Sequence, residues 1–177
     1  MTLAEQLSQR RPKRADAARN FDELLGAARA AFDELGGAVP LEDIARRAKV
    51  GIATLYRNFP TREDLIDGVY AEEVDEVCLA AQSPDISLDD WLEQLVARLG
   101  SRRALVEGLR TASTSRAALW AAGETLLDRA IAAGVVNERV EIDDLMRLVI
   151  GIIAMHFDDP AQRERVLGMM LEGIRAR

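Results

Sequence analysis

Cysteine and histidine are almost missing from this chain of 177 residues, with one of each, Cys78 and His156. A single cysteine excludes an intramolecular disulfide and fits a reducing compartment, so a cytoplasmic location is expected. One histidine and one cysteine leave too few ligands for a zinc centre and no Cys-His nucleophile pair. No Glu-x-x-His iron-binding pair and no Gly-rich phosphate loop occurs either. Neither metal nor cofactor is expected, and a small helical enzyme becomes the least favoured function. Aromatic residues make up only 5% of the chain, while Ala and Leu abound, which disfavours sheet and favours helix. No apolar run approaches the ~20 residues that span a bilayer, so no membrane partner is expected. The opening MTLAEQLSQRRPKR has basic residues but no apolar core after them, so it does not read as a secretory signal.

What is present is ordinary for a globular protein: 49% hydrophobic and 30% charged residues. The net charge of −7 argues at face value against a nucleic-acid partner. The distribution argues the other way. Residues 1 to 62 hold 11 Lys and Arg against 8 Asp and Glu, a net of +3, which leaves −10 for the rest. Screening acts over ~8 Å, so a phosphate backbone responds to the local balance and not to the total.

Helical periodicity runs through nearly the whole chain. Phe21, Leu24, Leu25, Ala28, Ala31, Phe32 and Leu35 recur at helical spacing before Gly36-Gly37 stops them. Pro40 suits a first helical position, and Leu41, Ile44, Ala45 and Ala48 give a short second helix its apolar face. After a turn at Lys49-Val50-Gly51, a third helix is expected from Ile52 to Phe59, ended by Pro60. Thr61-x-x-Asp64 then reads as the cap of a long fourth helix. SPDIS, residues 83 to 87, is the one clear joint, and only helices follow it. The expected fold is all-α, with a small N-terminal helical bundle and a larger C-terminal one. The expected segments are a flexible basic arm over 1–15, a small helical domain over 16–82 and a larger helical domain over 83–177.

The third helix carries the chemistry. At 100° per residue Leu55 and Phe59 define a buried direction, with Ile52 near it, and Arg57 points almost opposite. Ala53 and Thr54 share the outward side, flanked by Tyr56 and Asn58. A small residue permits close approach, hydroxyls and the phenol can bond phosphate oxygens, and a guanidinium can bond a guanine edge in bidentate fashion. Two helices joined by a turn of three or four residues form a helix-turn-helix. Basic residues surround it: Lys13 and Arg14 in the arm, Arg46 and Lys49 beside the turn, and Arg62 after Thr61.

From Arg14 to about Val77 the chain closely resembles the DNA-binding domain of TetR-type transcriptional regulators. The stretch LEDIARRAKVGIATLYRNFPTREDLIDGVY is similar to that family's signature almost position by position. The resemblance implies a three-helix helix-turn-helix DNA-binding head joined by a long fourth helix to a C-terminal helical bundle. It places a DNA-binding domain with its linking helix over 16–82 and a ligand-binding and dimerisation domain over 83–177, paired as a dimer. It implies that Thr54, Tyr56 and Asn58 bind phosphates, that Arg57 and Ala53 meet base edges, and that Thr61 and Arg62 clamp the backbone. Three departures bear on base preference. Pro40 replaces a usual Thr or Ser. Lys49 stands where Gly is usual, and a positive φ there would cost ~1–2 kcal/mol. Gly51 and Ile52 replace a usual Ser and a cationic residue.

In the C-terminal half the segment from Ile142 to Phe157 is apolar over most of its circumference, so it is covered on two sides. A second copy of the chain is the simplest second cover. The expected interface is Leu145, Val149, Ile152 and Ile153 with Leu167, Met170, Leu171 and Ile174 of the last helix. Candidate walls of an effector pocket are Trp91, Leu95, Leu109, Trp120, Met155 and His156. The function expected is a sequence-specific, dimeric repressor that leaves its double-stranded operator when a small molecule binds. A constitutive DNA-binding dimer without an effector is the alternative.

Overall fold

The structure, a computed structural model, describes residues 1–111, 113–155 and 157–176, with only the backbone of Pro160. The described residues form helices and no strand, apart from an isolated antiparallel bridge between Val136 and Arg175. The helices are α1 (Leu3–Arg10), α2 (Ala15–Leu35), α3 (Leu41–Arg47), α4 (Ile52–Asn58), α5 (Arg62–Ala80), α6 (Leu88–Leu99), α7 (Arg103–Gly108), α8 (Thr114–Ala132), α9 (Ile142–Ala154) and α10 (Pro160–Gly173). They fall into two compact units, one of residues 1–75 and 102–116, the other of 76–101 and 117–177. The segment 102–116 thus packs with the N-terminal unit, although it lies within the expected C-terminal domain.

The first unit is built around α5. Leu65, Ile66, Val69, Tyr70, Ala71 and Val74 are buried, as are Phe21, Leu24, Ala28 and Phe32 of α2, and Tyr70 stacks with Phe32 at 6.5 Å between ring centroids. Three carboxylates of α5 satisfy N–H groups at helix starts, which have no intrahelical partner. Asp64 accepts from the N–H of Thr61 (3.1 Å), while Asp64 N donates to the Thr61 hydroxyl (3.0 Å), the reciprocal cap read from the sequence. Asp67 accepts from Thr114 N (2.8 Å) and Ser115 N (3.3 Å) at the start of α8. Asp75 accepts from Leu3 N and Ala4 N at the start of α1.

That last pair corrects the expectation of an unstructured arm. Residues 3–10 are helical, capped by a reciprocal Thr2–Glu5 box, with Leu3 buried. Such a short helix does not persist alone in water. Its hold is tertiary: the Asp75 carboxylate at one end, and Leu7 against Gly68 in the middle, where an added Cβ would lie 3.2 Å from Leu7 Cδ1.

The second unit buries Trp91, Leu92, Leu95, Val96 and Leu99 of α6 with Leu119, Leu126 and Leu127 of α8 and the inner side of α9. Gly123 lets α8 approach the Trp91 ring, since a Cβ there would sit 3.2 Å from two ring carbons. The buried Trp91 indole donates to Val77 O at 2.9 Å. Arg129 donates to the carbonyls of Ser83, Pro84 and Ile86, which pins the joint between α5 and α6. Among the described residues no helix is long and apolar enough to cross a membrane.

Candidate nucleic-acid interface

α3 ends in a tight 6→1 and 5→2 bonding pattern: Val50 N donates to Ala45 O (3.0 Å) and Lys49 N to Arg46 O (3.1 Å). The pattern places one residue in the left-handed region, and that residue is Lys49, with φ 55°. Lys49 is the only non-glycine with positive φ among the described residues. Its side chain is exposed beside the turn. Gly51 then caps α4, its carbonyl accepting from Thr54 N (2.8 Å) and Leu55 N (3.3 Å).

α4 is amphipathic in the register expected. Leu55 and Phe59 are 0% exposed, and Phe59 packs on Phe21 with ring centroids 5.0 Å apart. Ala53, Tyr56 and Arg57 are exposed, Tyr56 at 45%, and Thr54 is half-buried. Among the described residues of the unit none seals this side. Asn58 is half-buried, and its Nδ2 donates to Thr54 O at 2.8 Å, which commits one of its two N–H donors to the helix backbone.

The unit divides its cations into two sets. Arg11 pairs with Asp22, Arg29 with Glu73, Arg46 with Asp43 and Arg47 with Glu34. Arg10 pairs with Asp64 and bonds Asn58 O. By contrast Lys13, Arg14, Lys49 and Arg57 are exposed and have no hydrogen-bond or ion-pair partner among the described residues. These four are open to a phosphate or a base edge, and Arg19, Arg103 and Arg110 of the same unit are likewise exposed without a side-chain partner among the described residues. Arg46 keeps a looser tie, its side chain 77% exposed despite the Asp43 contact, so it remains open to one as well.

Two clamp residues sit differently from what their position suggests. The Arg62 guanidinium turns inward and donates to Gly37 O (2.6 Å) and Val39 O (2.7 Å), fixing the loop before α3. The exposed Thr61 hydroxyl donates to Asp64 Oδ2 (2.7 Å) and accepts from Asp64 N, which leaves Thr61 only spare acceptor capacity. Burial pushes the Asp64 carboxyl up, but the Thr61 hydroxyl and N–H and the Arg10 guanidinium outweigh it and hold it below the ordinary range.

The residues proposed for the C-terminal half are placed otherwise than the sequence suggested. Leu145, Val149, Ile152, Ile153, Leu167, Leu171 and Ile174 lie in the chain's own core, none more than 8% exposed, and Met170 is half-buried. The outward apolar positions are Leu148 and Met155, with Gly151 between them, and Met169 on α10. The sequence shows that α9 is apolar over most of its circumference, but not which face its own unit covers. Of the six pocket candidates, Trp91, Leu95, Trp120 and Met155 lie in the second unit. Trp91 and Leu95 are packed core, Trp120 is half-buried with its indole donating to Asp143 at 3.0 Å, and Met155 is exposed. Leu109 belongs to the other unit, and His156 lies outside the described residues. A groove of about 410 Å³ exists instead between α6 and α10, lined by Glu93, Val96, Ala97, Arg163, Glu164 and Leu167.

Residues 24–69 match the family described as "Bacterial regulatory proteins, tetR family", and residues 83–176 match "Transcriptional regulator SbtR-like, C-terminal domain". No curated protein matches the sequence. Among solved structures, the chain is similar to a TetR transcriptional regulator from Streptomyces coelicolor at 32% identity. That match covers 88% of this chain and 98% of the other, with a TM-score of 0.56. It is also similar to a TetR transcription regulatory protein from Mycobacterium vanbaalenii, at 31% identity over 93% of this chain and 100% of the other, TM-score 0.50. RolR in complex with the ligand resorcinol shares the fold at 19% identity, over 98% of this chain and 91% of that one, TM-score 0.62.

Proposed function

Because this chain belongs to the TetR family of bacterial regulatory proteins, we propose that it is a homodimeric, cytoplasmic repressor released from its operator by a small-molecule effector. It is a DNA-binding transcriptional regulator, and α4 is its recognition helix. The observation that carries this reading is the outward side of α4. Ala53, Tyr56 and Arg57 stand uncovered beside a set of unpartnered cations, while Leu55 and Phe59 are sealed beneath. In the major groove Arg57 reads a base edge, and Thr54, Tyr56, Lys49 and Arg14 reach phosphates. Lys13 and Arg46 add positive charge alongside.

Dimerisation is supported by the stripe Leu148, Gly151 and Met155, spaced at i, i+3 and i+7, with Met169 on α10. Two-fold symmetry would present two copies of α4 to half-sites ~34–36 Å apart on one face of a duplex. The groove between α6 and α10 has the size of a small-molecule site, within the usual ~300–1,000 Å³. The RolR complex is an instance of a ligand carried by this fold. An effector acts only if it binds the released state more tightly than the operator-bound state.

The test is a gel shift against the DNA flanking the chain's own gene. Arg57→Ala weakens specific binding by ~1–3 kcal/mol and relaxes the preference at one base position. Unchanged affinity and preference would remove Arg57, and with it this orientation of α4, from the reading.

A further inference from the structure

We propose that α1 is a strap that sets the exit of the recognition helix, and that Arg10 is the positioning residue through which it acts. The inference rests on the reading of α4 as the DNA-facing helix. The strap is tied to α5 at both ends. At its start the Asp75 carboxylate accepts from Leu3 N (2.8 Å) and Ala4 N (2.7 Å), where the helix carries its partial positive charge. Leu7 seats over Gly68, so the two helices approach closely at mid-length.

At the far end Arg10 makes three contacts at once. Its guanidinium donates to Asp64 Oδ1 (3.3 Å) and to Asn58 O (3.0 Å), and lies 5.9 Å from the centre of the Phe59 ring. Asn58 is the last residue of α4, and its carbonyl is one of those at a helix C-terminus without an intrahelical partner. A cation is favoured there. Phe59 is the buried anchor of α4, and Asp64 is the partner of the Thr61 cap at the start of α5. One side chain therefore grips the end of the recognition helix, the ring that roots it and the start of the next helix. A helix of seven residues does not hold its own direction, so its angle in the groove depends on what holds its ends. Arg10 also offsets the negative charge of Asp64 close to where phosphates would pass.

Asp75 and Asp64 stand eleven residues apart on α5, ~16 Å along its axis. This separation gives the strap a signature that neither simple electrostatics nor a direct contact reproduces. Removing the acid Asp75 should by charge alone tighten DNA binding. If α1 acts as a strap, removing it loosens DNA binding.

The experiment uses the full chain and a duplex that the wild-type protein selects from a random pool, with an unselected duplex as the non-specific probe. Binding is measured over a range of salt concentrations, at a temperature well below every variant's unfolding midpoint. Arg10→Ala and Asp75→Ala are each expected to weaken binding to the selected duplex roughly fivefold or more. The double variant is expected to be no weaker than the weaker-binding single variant. Affinity for the unselected duplex stays as in wild type, and the salt slope changes by well under the ~0.9 of a lost phosphate contact. Where an alanine variant does not fold, Arg10→Gln or Asp75→Asn replaces it, with the same expected direction. The proposal is overturned if Asp75→Ala binds the selected duplex as tightly as wild type or more tightly, or if the two losses add. It is also overturned if Arg10→Ala lowers the salt slope by about 0.9, which would make Arg10 a phosphate ligand. Failure of the wild-type chain to enrich any sequence would instead overturn the DNA-facing role of α4.

Discussion

Lys49→Gly should make this protein more stable and a weaker DNA binder at the same time. Lys49 sits at the left-handed position of the turn that ends α3, at φ 55°, where a side chain costs ~1–2 kcal/mol. Glycine removes that cost but adds ~0.5–1 kcal/mol through its greater freedom in the unfolded chain. The net gain is about 0.5–1 kcal/mol. For a chain of this length 1 kcal/mol moves the unfolding midpoint by ~2–4 °C, so a rise of about 1–4 °C is expected. Lys49→Ala is the control, because it removes the charge and keeps the strained backbone. Thermal unfolding of the three proteins is compared at one protein concentration, since a dimer's midpoint depends on it. DNA binding is then measured against salt. Both variants lose one cation near the backbone, so both slopes fall by ~0.9 if Lys49 meets a phosphate. Equal midpoints for Lys49→Gly and Lys49→Ala would refute the strain argument. Unchanged slopes would refute the phosphate contact. Together the outcomes decide whether Lys49 retains its strained turn for function.

Arg62→Ala removes donors from the carbonyls of Gly37 and Val39; it should cost ~1.5–3 kcal/mol in urea unfolding and leave the salt slope of DNA binding unchanged. Acid should destabilise the N-terminal unit. Asp64 and Glu73 are each pushed up by burial but held below their ordinary values of 3.8 and 4.5 by hydrogen bonds, from Thr61 and Arg29 respectively, and by nearby cations. A lowered folded pKa gives stability that is present above the unfolded value and is lost as pH falls toward the folded one, so urea midpoints should drop from pH 5 to pH 3, less steeply in Glu73→Gln. Leu148→Glu and Met169→Glu, on the outward stripe, should convert a dimer to a helical monomer in sedimentation, whereas Val149→Glu, fully buried, should abolish the helical circular dichroism.

The parts of this molecule legible in its sequence are those decided by one local pattern. The register of α4 is one, because Leu55 and Phe59 against Arg57 leaves a single way to bury a seven-residue helix. Lys49 is another, since a turn that wants glycine marks its occupant wherever it falls. Arg62 is not legible in this way, because a cation after a capping threonine looks the same whether it faces phosphate or the carbonyls of a neighbouring loop. α1 was missed because its hold comes from Asp75, 72 positions from Leu3, and no periodicity carries that information. α9 shows the same limit more sharply. Leu145, Leu148, Val149 and Ile152 are equally apolar in sequence, yet three lie in the core and Leu148 is 54% exposed. An interface on such a helix is what remains after the chain's own core is subtracted. It becomes definable only once α6 and α10 are seen to claim the other side. For this reason the outward stripe of Leu148, Gly151 and Met155, and not the more strongly periodic set beside it, is where a second copy has apolar surface left to cover.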